Sequence, residues 1–208
     1  MQRHRWAGSE YIVNQACRLT LLWDNPRGTI VPGMVKPMLT TPQEKRHAEL
    51  GIPAGYTDRC LPFFVEATEL VDVGPNIVGR MQRLTPLAAS RWQEMVKAAQ
   101  NEGIDLLIVS GFRSFDYQAG LIQKKLLAGQ SIDEILTVNA APGYSEHHSG
   151  KAIDIATPGS PPLSEEFENL DAFAWLTRSA GQFDFKMSYP RENPQGFVYE
   201  PWHWALAD

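Results

Sequence analysis

Cysteine is scarce in this 208-residue chain: there are two, Cys17 and Cys60. Neither belongs to a C-x-x-C pair, so a thiolate zinc site is not expected, and whether the two bond to each other depends on the redox compartment. Long apolar runs are absent, none approaching the roughly 18 residues that cross a bilayer, so no transmembrane segment is expected. The first ten residues are mostly polar, and the apolar stretch Cys17–Trp23 is short and broken by Arg18, which is not the pattern of an export signal. Two localisations stay open: cytoplasmic, or periplasmic and cell-envelope if the export signal is missing from this sequence. Positive charge is not in surplus, since 19 Lys and Arg face 24 Asp and Glu for a net charge of −5. That balance excludes the basic footprint of a nucleic-acid partner, and the cluster Arg3, His4, Arg5 reads as a solvated tail. A G-x-S-x-G elbow is lacking too, which removes one serine-hydrolase architecture.

What is present fits a single globular domain. The hydrophobic fraction is 43% and the charged fraction 21%, both ordinary for a packed core. Prolines at 26, 32, 37, 42, 53 and 62 punctuate residues 1–80, with short β-like runs at Phe63–Glu66 and Leu70–Val73. The pattern then sharpens. From Thr85-Pro86 a capped helix is predicted with Gly103 as its stop, and Leu87, Ala88, Trp92, Met95, Val96 and Ala99 as its apolar stripe. A strand follows at Leu106–Val109, then helices at Phe115–Leu127 and Ser131–Leu136. The loop Pro142–Gly150 feeds a strand Ala152–Ala156, Leu170–Ala180 reads as a helix, and a β segment runs from Gly196 to Trp204. Helices and strands interleave without regular βαβ alternation, which predicts an α+β fold.

Two segments hold the chemistry: Ser145-Glu146-His147-His148-Ser149-Gly150-Lys151-Ala152-Ile153-Asp154 and Tyr199-Glu200-Pro201-Trp202-His203-Trp204. A catalytic zinc takes three nitrogen or oxygen ligands and keeps one position open. His147, Asp154 and His203 would supply such a set, with Gly150 letting the loop fold back onto the strand. Glu200, three residues before His203, reaches the same place if Pro201 bends the chain out of regular strand geometry. Taken singly, each of these has a blander reading as a surface histidine or a buried, hydrogen-bonded carboxylate. His4, His47 and His148 are assigned to that reading, Lys124-Lys125 to a solvated helix face, and Trp175, Trp202 and Trp204 to the core.

The pattern S-x-H-x-x-G-x-A-x-D followed by E-P-W-H-W resembles the peptidoglycan metallopeptidases that include the vancomycin-resistance D-alanyl-D-alanine carboxypeptidases. The likeness extends to Ser110-Gly111-Phe112-Arg113-Ser114, Tyr117-Gln118, Trp175-Leu176 and Tyr189-Pro190, and spans about residues 80–206. It implies a mainly antiparallel sheet with packed helices and a zinc site in an open groove. It implies residues 81–208 as the catalytic domain, with 1–80 an irregular extension packed on it. Implied roles are zinc ligation by His147, Asp154 and His203, general base for Glu200, carbonyl polarisation for Arg113, and substrate contact for Gln118, Ser145 and Tyr189. Ser188 stands where members carry a cation before Tyr-Pro. The implied activity is zinc-dependent removal of a C-terminal D-amino acid, D-Ala, from peptidoglycan stem peptides. Endopeptidase or D-Ala-D-Ala dipeptidase action with the same site is the alternative. A non-catalytic wall-binding module is a second, against which Glu200 and Arg113 speak.

Overall fold

The computed structural model describes residues 3–6, 9–12, 39–59 and 61–207. Strands β1 (Arg3–Trp6) and β2 (Ser9–Ile12) pair antiparallel, so the basic cluster expected as a tail lies in a hairpin. Its side chains, together with Cys17 and Cys60, lie outside what is described. Helix α1 (Thr41–Glu49) was not anticipated, because its apolar content is too low to show a stripe. Its local chemistry specifies it instead: Thr40 and Gln43 form a capping box and Pro42 sits in the first turn.

Strands β3 (Val71–Pro75) and β4 (Met81–Leu84) form a two-stranded ribbon; the run Phe63–Glu66, read as β-like, makes no strand. Helix α2 (Pro86–Asn101) buries Ala88, Ala89, Trp92, Met95 and Ala99, while Leu87 points outward at 60% exposure. Strand β5 (Leu107–Ser110), helices α3 (Phe115–Leu127) and α4 (Ile132–Val138), strand β6 (Ala152–Ala156) and helix α5 (Asp171–Ser179) follow. Strands β7 (Phe185–Met187) and β8 (His203–Leu206) end the fold. The final β segment is thus shorter than Gly196–Trp204 predicts. Asn193 binds the backbone of Pro190 and Phe197, and the chain turns at Pro201–Trp202, which leaves no ladder there.

The main sheet is antiparallel in the order β5-β6-β8-β7. Successive strand residues face opposite sides, and this decides where the site lies. Ile153 and Ile155 of β6 and Trp204 and Leu206 of β8 enter a core shared with α2, α5 and Phe185. Asp154 and His203, which are register partners, therefore share the other face. A second core joins Leu50, Ile52, Tyr56 and Leu61 to Ala119, Ile122, Ile135, Ala141, Tyr144, Tyr189 and Phe197. Residues before 81 are also stitched to the 142–150 loop: Phe64 donates to the Gly143 carbonyl at 2.8 Å and Ala67 to that of His148 at 2.8 Å. None of the described helices is long and apolar enough to cross a membrane.

Candidate metal centre

The 142–150 loop passes through one short 3-10 turn, Glu146–Ser149, and leaves it at Gly150 with φ +66°. That left-handed conformation favours glycine. A Cβ there would also meet Leu70 at 3.0 Å, Thr85 at 3.1 Å and Ala67 at 3.2 Å. The turn delivers His147 beside Asp154, and β8 delivers His203 across the ladder. One ligand atom from each of the three lies within 4.8 Å of the others, and all three residues are buried.

Outer partners fix the tautomers. His147 Nδ1 lies 2.7 Å from the Gly111 carbonyl oxygen, so it carries the proton and leaves Nε2 as the free donor, 3.2 Å from Asp154 Oδ2. Gly111 is required for this approach, because a Cβ would stand 2.7 Å from the Arg83 carbonyl oxygen. His203 Nδ1 lies 2.9 Å from Asp154 Oδ1, and its Nε2 lies 2.9 Å from Glu146 Oε2. A carboxylate on the far nitrogen of a ligating histidine is the usual way of orienting the ring. Glu146 therefore joins the site, a role the sequence reading missed. The signal was its place beside His147.

The electrostatics follow from the protein groups alone. Burial, reinforced by the Arg113 charge, pushes His147 down to about 4, so it is neutral and ready to donate. Burial would lower His203 too, but Asp154 and Glu146 outweigh it and raise it to about 10. Burial would raise Asp154, yet its contacts with His147 and His203 and the Arg113 charge hold it well below the usual carboxylate range. Two imidazole nitrogens and one carboxylate oxygen, buried and mutually close, form a donor set that suits a divalent ion such as zinc.

Glu200 sits at the turn before β8, its Oε2 3.9 Å from His203 Nδ1. Burial raises its carboxyl to about 7. Arg113 contacts Asp154 Oδ2 through Nη2 and the Ser110 hydroxyl through Nε, with 12% of its side chain exposed. Both the ion pair and access to the groove are thus present. The groove is a cavity of about 300 Å³ lined by these residues and by Gln118, Lys125, Ser145, Tyr189 and Trp202. Gln118 is almost wholly buried, and its amide nitrogen donates to the Ala140 carbonyl. Tyr189 packs its ring 4.8 Å from that of His203. His47 and His148 are buried and bound to backbone, His47 to Pro142 and His148 to Gly143 and Arg113. One expectation fails here: Lys125 is half-buried in the cavity wall rather than on a solvated face. Trp202 packs against the main core as expected and, carried by the turn before β8, also lines the cavity.

The chain is similar to known proteins. The family described as VanY, D-alanyl-D-alanine carboxypeptidase, matches residues 81–207. A D-alanyl-D-alanine carboxypeptidase of Enterococcus faecalis (strain ATCC 700802 / V583) is 29% identical over 125 residues, 55% of this chain and 45% of that protein. The chain spans about half the length of the curated relatives it matches. Among solved structures, the LdcB LD-carboxypeptidase aligns with TM-score 0.60 and 30% identity over 68% of this chain and 69% of that one. VanYB in complex with D-alanine-D-alanine aligns with TM-score 0.54 and 25% identity over 68% and 78%. The chain belongs to the VanY family of D-alanyl-D-alanine carboxypeptidases.

Proposed function

We propose that this protein is a zinc-dependent carboxypeptidase that removes the C-terminal D-amino acid, D-Ala, from peptidoglycan stem peptides. The observation that carries the reading is the buried set His147, Asp154 and His203 with Glu200 held beside it. His147, Asp154 and His203 would hold the ion, His147 through Nε2 and His203 through Nδ1. Zinc bound there supplies Lewis acidity to the scissile carbonyl and to the attacking water.

The chain's own groups do the rest. Glu200, near 7 before any ion binds, is a base matched to neutral pH; a nearby cation draws it further toward the carboxylate. It takes a proton as water adds to the peptide carbonyl, and returns it to the amine as the C–N bond breaks. Arg113 faces the oxygen on which negative charge develops, and preorganised donors of that kind carry much of the barrier reduction in acyl chemistry. Tyr189 and Ser145 form the wall against which the peptide lies. The products are a shortened peptide and a free amino acid.

Mass spectrometry of purified stem peptides before and after digestion tests this directly. Loss of one alanine residue is expected, whereas loss of a dipeptide or cleavage of a crosslink would replace the carboxypeptidase reading. Elemental analysis should find about one zinc per chain. Glu200→Gln should keep the zinc and lower hydrolysis by at least ~10². Loss of zinc in that variant would make Glu200 a ligand, and near-normal hydrolysis would remove it as the base.

A further inference from the structure

Two cations line the cavity, and they are not equally committed. Arg113 spends Nη2 on Asp154 and Nε on Ser110. Lys125 stands on α3 seven residues after Gln118, about two helical turns along the same face, and shares the cavity wall with Val138 and Asn139. Its hydrogen bond goes to the side-chain oxygen of Asn139, a neutral group. No carboxylate among the described residues forms an ion pair with it. An ammonium that gives up part of its hydration with no carboxylate bonded to it is costly to hold; burial and the Arg113 charge act on Lys125 in that direction, and the Glu200 carboxylate across the cavity offsets only part of this.

A peptide losing its last residue brings one anion into the cavity with it. The terminal carboxylate lies three covalent bonds beyond the scissile carbonyl carbon. It therefore meets a wall next to the ligand cluster rather than the cluster itself. A lysine on a flexible four-carbon stem suits a point charge at that distance. We propose that Lys125 is the specificity-determining residue that pairs with the free C-terminal carboxylate of the substrate, making this an exopeptidase site. The inference rests on the carboxypeptidase reading above. A charge-assisted bond of this kind corresponds to roughly 10- to 100-fold in affinity.

The test compares D-Ala-D-Ala with its C-terminal amide, and a stem peptide with its C-terminal amide, on the full zinc-loaded chain. Binding is read by calorimetry and hydrolysis by kcat/KM, for the unaltered protein, Lys125→Met and Lys125→Arg. The unaltered chain should prefer the free acid by about 10- to 100-fold, Lys125→Met should lose that preference while handling the amide as before, and Lys125→Arg should keep most of it. Equal losses on acid and amide, or a preference that survives Lys125→Met, would overturn the assignment. Hydrolysis without a Lys125-dependent preference sinks this inference and leaves the carboxypeptidase reading standing. A Lys125-dependent preference in binding without hydrolysis sinks the carboxypeptidase reading and leaves Lys125 as a carboxylate-binding residue of a non-catalytic site. A chain that neither binds nor cleaves sinks both.

Discussion

Replacing Glu146 by alanine should weaken zinc binding without removing any ligand. Glu146 Oε2 sits 2.9 Å from His203 Nε2 and 18% of its side chain is exposed, so solvent screens the contact only partly. Burial would raise its carboxyl, but the hydrogen bond and charge of His203 hold it below the usual range, which keeps it an acceptor at neutral pH. That acceptor pins the proton on Nε2 and turns Nδ1 toward Asp154. Hydrogen bonds to charged groups contribute about 1.5–3 kcal/mol, or roughly 10- to 100-fold in a binding constant. Loss of an outer-sphere partner in metalloproteins falls in the same range. The assay is competition for zinc between the metal-free protein and a chromophoric chelator at fixed pH. Glu146→Gln, which keeps an acceptor but not the charge, should fall between the unaltered protein and Glu146→Ala. A zinc affinity for Glu146→Ala within threefold of the original would refute the reasoning, since the ring would then be oriented by packing against Tyr189 alone.

Gly150→Ala should lower thermal stability, because the left-handed conformation costs ~1–2 kcal/mol for a residue with Cβ. The contacts with Leu70, Thr85 and Ala67 at 3.0–3.2 Å add overpacking of ~1–3 kcal/mol; a midpoint unchanged in calorimetry would contradict this. His147→Ala should lose the metal and His148→Ala should keep it, read by elemental analysis, because His148 is already bound to Gly143 and Arg113. Zinc binding should also release protons. His203 is raised from 6.5 to about 10, so in the metal-free chain its contribution to stability is full below pH 6.5 and is lost as pH rises through 10. The ion needs the deprotonated ring. The thermal midpoint difference between zinc-loaded and metal-free protein should therefore widen from pH 6.5 upward, and more than one proton per zinc should appear in an unbuffered titration at neutral pH, one from His203 and part of one from Glu200.

How far the sequence was legible depended on which force specified each part. Helix α2 and strand β6 follow apolar patterning, and their stripes survive with Leu87 as the exception. Helix α1 escaped because hydrogen bonds at its cap specify it, and these leave no apolar period. The His147, Asp154 and His203 set could be named because ligand chemistry restricts residue types and motif order. Its geometry could not, since it depends on the β6–β8 register that puts Asp154 opposite His203. Lys125 was misread for a related reason. A lysine on a helix is solvated by default, and only the packing of α3 beside Asn139 shows that this one lines the cavity.

Charge balance links the ligands to the cavity wall. Before an ion binds, Glu146, Asp154 and Glu200 when ionised contribute −3, and Arg113, Lys125 and the protonated His203 contribute +3, while His147 is neutral. The cluster is then neutral, which is how so many titratable groups coexist in a buried place. A divalent ion that displaces the His203 proton changes the sum by +2 − 1, leaving +1. A peptide with one terminal carboxylate restores neutrality; an uncharged internal segment of a longer chain does not. Arg113 already pairs with Asp154, whereas Lys125 on the cavity wall is bonded to the neutral Asn139 side chain. The proposed preference for chain ends therefore draws on the same charge balance that lets these groups be buried together.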